Sequence, residues 1–341
     1  MNPSRILVTG ATGFIGTKLV NELVKLGHKV VALTRKTSNK QGLENENIHL
    51  SEGDILDMDS LKRAMQGCDF VFHLAAYAKN WSKDPRLYYD FNVTGMMNVF
   101  NVAREFGVKK LVWTSTIVTF GPTPEGVVGN ESIIRTTNRF FTDYERSKFI
   151  AEQEALKMAR DDFPVVIVNP TRVYGPGKLT EGNSVTLLID LYDRGKMPFL
   201  LNGGKNIGNY VLVDDLVQGH IQALERGKIG ERYIIGGENA SLKELFDVID
   251  EISGKRHVRI PLPASIGLAY GKMQSFMAKN FGFYPQITPG WVETFLQDWA
   301  YSCEKAEREL GYKFTPLKEG IRLTYEWITK QRIISKKANL L

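Results

Sequence analysis

The stretch Arg5-Ile6-Leu7-Val8-Thr9-Gly10-Ala11-Thr12-Gly13-Phe14-Ile15-Gly16 decides how this chain is read. A β-forming apolar run leads straight into three glycines at three-residue spacing, and over residues 15–25 the apolar side chains return at helical intervals. A strand that turns tightly into a helix through glycines brings free N–H groups and the positive end of a helix dipole to a point that a ligand can approach closely. That is a cradle for phosphate.

Working outward, candidate strands at residues 29–34, 48–52, 70–74, 110–115 and 165–169 alternate with amphipathic stretches at 61–65, 93–106 and 144–160. Such a succession of βαβ units predicts an α/β chain with a doubly wound parallel sheet, the Rossmann fold. After Pro170 the pattern loosens at Gly175-Pro176-Gly177, Gly203-Gly204 and Gly236-Gly237. Residues 210–213 and 214–225 predict one more strand and helix, and 232–235 a last strand, all rejoining the first sheet. From the Ser241-Leu242-Lys243-Glu244 capping box to Trp327 the chain reads as mostly helical, broken by Pro261, Pro263, Pro285, Pro289 and Pro316. The expected division is a dinucleotide-binding domain over 1–174 and about 208–236, and a smaller, mostly helical substrate-binding lid over 175–207 and 237–330. A basic solvated tail would follow at 331–341.

Composition narrows the classes. The 341 residues are 43% hydrophobic and 24% charged, with net charge +6 and an isoelectric point of about 9.1. The cations are spread along the chain except at Lys330-Gln331-Arg332 and Lys336-Lys337, so no nucleic-acid partner is expected. The two cysteines, Cys68 and Cys303, lie far apart without metal-ligand spacing, which predicts no metal and fits a reducing cytoplasm. No apolar run approaches the length of a membrane span, and no secretory leader is read at the N-terminus.

Past the second candidate strand, where an NAD site of this kind carries an Asp or Glu for the ribose 2′-hydroxyl, the sequence is Leu33-Thr34-Arg35-Lys36. Arg35 can fork a 2′-phosphate and Lys36 or Lys40 can add charge, so NADP(H) is preferred, with NAD(H) the alternative. In Tyr144-Glu145-Arg146-Ser147-Lys148 a phenol and an ammonium share one helix face. An ammonium beside a phenol lowers a pKa that starts near 10, giving an acid or base usable near neutrality. Thr114-Ser115-Thr116 closes the fifth strand, at the sheet edge where ligand-contacting groups collect.

Together these stretches resemble the extended short-chain dehydrogenases/reductases of the NAD(P)-dependent epimerase/dehydratase superfamily, in particular the dihydroflavonol reductase-like branch. Gly53-Asp54, Phe72-His73-Leu74-Ala75-Ala76, Asn92-Val93-Thr94-Gly95 and Tyr174-Gly175-Pro176-Gly177 match in the family's order. The resemblance implies an oxidoreductase acting on CH–OH or C=O groups. Gly10, Thr12, Gly13, Phe14, Ile15 and Gly16 would cradle the coenzyme, with Asp54 and Ile55 at the adenine, although Asp54 could equally be a strand-end cap. Leu74, Ala75 and Ala76 would lie under the nicotinamide ribose, with Thr114, Pro170 and Val173 on the nicotinamide side. Tyr144 and Lys148 would be catalytic, with Thr116 at the serine/threonine position, Ser115 its fallback, and Asn92 near the lysine's water network. Relatives often dimerise through helices at 93–106 and 144–160, so a homodimer is allowed.

Nucleotide-sugar members resemble one another in using an asparagine and an arginine for the diphosphate where this chain has Arg172 and Gly208. A second arginine site is replaced by Thr288-Pro289-Gly290-Trp291. The expected substrate wall comprises Tyr77, Lys79, Trp81, Phe120 and Arg172, together with an aromatic-rich lid. It points to reduction of a ketone or aldehyde on a small apolar or aromatic molecule; the alternative is a sugar epimerase or dehydratase with transient oxidation. Residues 266–283 show no clean apolar face with a basic rim, so they read as lid rather than membrane surface.

Overall fold

The computed structural model describes residues 2–135, 137 and 139–338, the last three by their backbone alone. Lys336 and Lys337 of the expected tail thus lie outside the described side chains. In chain order the strands are β1 (Arg5–Thr9), β2 (Lys29–Thr34), β3 (Ile48–Glu52), β4 (Phe70–His73), β5 (Lys110–Thr114), β6 (Val165–Pro170), β7 (Arg172–Tyr174), β8 (Phe199–Leu201), β9 (Ile207–Leu212), β10 (Arg232–Ile235), β11 (Glu238–Ser241) and β12 (Ile260–Leu262). The helices are α1 (Phe14–Lys25), α2 (Met58–Met65), α3 (Arg86–Tyr89), α4 (Met96–Glu105), α5 (Asp143–Arg160), α6 (Ser184–Asp193), α7 (Val213–Arg226), α8 (Leu242–Ser253), α9 (Ala264–Phe281), α10 (Pro289–Phe295), α11 (Glu304–Leu310) and α12 (Leu317–Ala338). A π-helical turn at Asp90–Gly95 joins α3 to α4.

Seven strands form one wholly parallel sheet in the order β10-β6-β5-β4-β1-β2-β3. Both faces are covered, and the central strands are accordingly apolar almost throughout; every residue of β6 is buried. On one face α1, α7 and α11 pack a core around Ile6, Leu19, Leu216 and Ala306. On the other, α2, α4 and α5 pack one around Leu7, Leu61, Phe100, Trp113 and Ala151. This is the expected doubly wound Rossmann arrangement. The strand order reverses between β1 and β4, and sheets of this kind take their ligands at the C-terminal ends of the strands at such a reversal.

The second half departs from expectation in four places. Residues 210–213 do not rejoin the first sheet: β9 pairs in parallel with β7 and antiparallel with β11 in a separate three-stranded sheet. Only Thr171 separates β6 from β7, so the chain leaves the main sheet still extended and offers β7 as an edge on which β9 pairs. Conversely α11, expected in the lid, packs on α7 through Ala306 and Leu310. The smaller domain has its own core between the three-stranded sheet and α6, α8 and α12, around Tyr174, Ile189, Tyr210, Phe246 and Ile321. Residues 331–338 are not a free tail, because α12 continues through Ala338 and Arg332 reaches back to α6, Nε to Asp190 Oδ1 at 2.9 Å and Nη1 to Asp193 Oδ2 at 2.5 Å.

The fourth departure is α9. Its buried residues are Gly267, Gly271 and Ala278, and a Cβ on Gly271 would stand 2.9 Å from the Pro289 nitrogen, so α9 lies directly on α10. The large side chains are left outside: Ile266, Tyr270, Met273, Phe276, Met277 and Phe281 are exposed, with Lys272 and Lys279 among them. An apolar outer face therefore exists where the sequence pattern suggested none, because small residues rather than large ones make the packed side. Among the described residues no helix is long and apolar enough to cross a membrane.

Candidate active site

At the switch point the glycine turn and the end of β4 interlock. Gly10 sits at φ 71°, and a Cβ there would be 2.7 Å from the Ala75 nitrogen. A Cβ on Gly16 would be 2.1 Å from the Gly10 carbonyl oxygen, so the first turn of α1 can lie this close only with glycine at that position. The Ala75 N–H donates to Thr9 Oγ1 at 3.2 Å, tying β4 to β1. Leu74, Ala75 and Ala76 are thereby brought beside residues 10–16. The helix α1 starts at Gly13 with no side-chain cap and no acidic residue in its first turn. By contrast α2, α5 and α8 are capped by Asp57, Thr142 and Ser241. An uncapped, carboxylate-free helix end walled by two backbones fits the phosphates of a dinucleotide. Thr12, Phe14 and Ile15 complete this turn.

Arg35 and Lys36 stand exposed just past the C-terminal end of β2. Asp54 does cap a strand end, its Oδ1 accepting the Leu56 N–H at 2.9 Å. Ile55 is buried against Gly95, where a Cβ would be 2.6 Å from its Cδ1.

The acid–base pair lies on α5, whose first turn Thr142 caps by accepting the Glu145 N–H at 3.1 Å. Tyr144 is half-buried and Lys148 fully buried. Lys148 Nζ donates to the Thr114 carbonyl at 2.9 Å and sits 4.3 Å above the Trp113 ring. Burial pushes its ammonium down to about 7, opposed by the Glu152 carboxylate. Burial likewise pushes the Tyr144 phenol up to about 12, and the one opposing influence is a hydrogen bond with the Thr116 side chain. The lowering of the phenol by the lysine, expected from their spacing, is thus corrected: desolvation dominates, and the ammonium is turned toward β5. Thr116, not Ser115, stands beside the phenol. The Ser115 hydroxyl is spent on Glu152, donating to Oε2 at 2.5 Å.

Glu152 was missed by the sequence reading. Wholly buried, it also accepts from Thr119 Oγ1 at 3.0 Å, Asn169 Nδ2 at 2.7 Å and Arg232 Nη1 at 3.1 Å. It fastens the ends of β5 and β6 behind Thr116. The available signal was its position one helical turn beyond Lys148, on the face that already carries Tyr144.

Asn92 sits in the π-helical turn with its amide fully engaged. Nδ2 donates to Ser147 Oγ at 2.9 Å and to the Tyr77 carbonyl at 3.2 Å, and Oδ1 accepts the Tyr77 N–H at 2.7 Å. It therefore joins the Tyr77 loop to α5 one residue before Lys148. The Thr114 hydroxyl is taken by His220 Nε2 at 2.8 Å, which leaves only the backbone of Thr114 facing α5. Pro170 closes β6 and Val173 lies half-buried on β7.

Of the expected substrate wall, Phe120 is corrected. It is buried in a small core with Trp299 and Tyr301, under the Arg232 guanidinium at 4.3 Å, so its ring packs rather than faces a ligand. Tyr77 and Trp81 are partly exposed and Lys79 is exposed, all on the segment between β4 and α3. Tyr77 stacks on Phe91, Lys79 Nζ pairs with Glu181 at 2.8 Å, and Trp81 meets Tyr284 edge-on with centroids 6.0 Å apart. Arg172 is held between the Tyr210 and Phe295 rings, 5.7 and 4.4 Å from their centroids, and bonds the Tyr210 hydroxyl at 3.2 Å. Among the described residues no group of three or more His, Cys, Asp or Glu is placed to hold a metal.

This geometry has relatives. Residues 6–236 match the model of the NAD dependent epimerase/dehydratase family. A putative dihydroflavonol 4-reductase of Synechocystis is 32% identical over 94% of this chain and 93% of its own. The sterol-4-alpha-carboxylate 3-dehydrogenase, decarboxylating, of Bos taurus is 26% identical over 91% and 88%. The crystal structure of gox2253 superposes with a TM-score of 0.81 at 33% identity, covering 96% of this chain and 98% of that one.

Proposed function

Because the chain belongs to the NAD dependent epimerase/dehydratase family, we propose that it is an NADPH-dependent reductase of a ketone or aldehyde on a small apolar or aromatic substrate. The observation that carries this reading is the Tyr144 phenol, pushed up to about 12 within hydrogen-bonding reach of Thr116. Such a phenol is protonated throughout the neutral range, which suits a group that must give a proton to a carbonyl oxygen. A bound NADPH supplies the hydride. Thr116 holds the carbonyl oxygen against Tyr144, and Tyr144 delivers the proton as negative charge develops there. Lys148, bonded to the Thr114 carbonyl at the end of β5, would hold the ribose of the coenzyme.

NADPH is favoured over NADH by Arg35 and Lys36 at the end of β2, where no carboxylate stands ready for a ribose 2′-hydroxyl. Tyr77 and Trp81 suit an apolar or aromatic substrate body. A nucleotide sugar is disfavoured because Arg172 is engaged by the Tyr210 hydroxyl and the Phe295 ring, and Gly208 has no side chain to offer a diphosphate. The similar Synechocystis protein is named as a reductase, which agrees with this direction.

The test is NADPH oxidation over a panel of aromatic ketones, aldehydes, steroids and sugars, with NADH in parallel. One NADP+ released per carbonyl reduced is the expected result, and a coenzyme retained and regenerated through each cycle would establish the epimerase chemistry instead. Tyr144→Phe should lower kcat by about 10²–10⁴ while the Kd for NADPH stays within about twofold. A fully active variant sinks the mechanism.

A further inference from the structure

The segment leaving β7 crosses in front of the phosphate cradle. Gly177, at φ 152°, lies so close to α1 that a Cβ would be 2.7 Å from Phe14 Cε2. Next to it, Lys178 Nζ donates to the Thr12 carbonyl and to the Gln41 carbonyl, each at 3.2 Å. Thr12 belongs to the glycine turn, and Gln41 to the loop that carries Arg35, Lys36 and Lys40. Both partners are neutral main-chain oxygens, and among the described residues this ammonium makes no ion pair. Three residues on, Glu181 accepts from Lys79 Nζ at 2.8 Å, the Asn80 N–H at 2.6 Å and the Tyr284 hydroxyl at 2.9 Å. One short strap is thus anchored on the coenzyme cradle at one end and on the substrate wall at the other.

We propose that Lys178 is a phosphate-binding residue of the coenzyme site, contributed by the strap from the side opposite the glycine turn. A phosphate at the uncapped start of α1 lies beside Thr12, within the sweep of a four-carbon side chain already resting there. A charge-assisted bond to phosphate is stronger than the two carbonyl bonds it replaces. The strap then sits over bound coenzyme, and release requires its Lys178 end to lift. Through Glu181, the same movement reaches the loop that carries Tyr77, Lys79 and Trp81. This inference depends on dinucleotide binding alone and holds whichever carbonyl or carbinol is the substrate.

The experiment measures NADPH and NADH binding to the full chain by nicotinamide fluorescence, with no substrate present. Lys178→Gln should raise the Kd for NADPH about tenfold or more and speed dissociation, while Lys178→Arg stays within about threefold. Lys157→Gln, on the exposed side of α5, controls for net charge and should change nothing. An equal loss for both coenzymes assigns the contact to the pyrophosphate, and a loss confined to NADPH assigns it to the 2′-phosphate. Either supports the proposal. Melting without coenzyme checks each fold, and Lys178→Met gives a second reading if the glutamine variant folds poorly. A Lys178→Gln protein that binds NADPH within twofold of wild type, or no worse than Lys157→Gln, overturns it.

Discussion

The glycine turn at residues 10–16 and the helix α9 both use small residues to bring backbones together, with opposite results. In the turn, Gly10 and Gly16 let β1, α1 and the end of β4 interlock, and what remains open is a row of backbone N–H groups. In α9, Gly267, Gly271 and Ala278 let one helix lie flat on another, and what remains open is a row of large apolar side chains. A small residue marks where two things approach. Whether the space beside it becomes a polar receptor or an apolar surface depends on what the neighbouring positions carry.

Three substitutions probe that contrast. The largest effect is expected for Gly16→Ala. Its Cβ would overlap the Gly10 carbonyl, so the turn must move. Thermal unfolding should show a loss of about 3 kcal/mol, and NADPH binding should disappear with it. A variant that still bound NADPH as tightly as wild type would end the claim that this approach shapes the cradle. Gly271→Ala should be milder, about 1–2 kcal/mol, because α9 can be displaced as a unit from α10, and the Kd for NADPH should be unchanged. Smallest of all is Phe276→Ser, at a side chain 60% exposed, which should shift stability by no more than about 0.5 kcal/mol. A large loss there would mean the outer face of α9 is packed in solution.

Local signals made the first half legible. The strands of the main sheet through β6 fall within a residue of their predicted limits, because each is a short apolar run with both faces covered. The turn at residues 10–16 and the pair Tyr144 and Lys148 are likewise contained in single stretches. What escaped depends on partners distant in sequence. Phe120 reads equally well as pocket or core until Trp299 and Tyr301 are placed against it. The cation at Arg332 reads as tail until Asp190 and Asp193 meet it. The strand β9 reads as part of the first sheet until β7 provides another edge. For the phenol, spacing placed an ammonium nearby, but only burial and the orientation of Lys148 toward Thr114 reveal that its pKa rises.

The open start of α1 bears on the persistence of the fold as well as on recognition. With no side chain capping its first turn, that end of the helix leaves N–H groups for an anion to bond. An occupant present at a hundredfold excess over its dissociation constant adds about 2.7 kcal/mol to folding by mass action. Dinucleotide supply and resistance to proteolysis are then two readings of one equilibrium. If the proposed coenzyme is that occupant, its removal lowers the folding stability by the same increment.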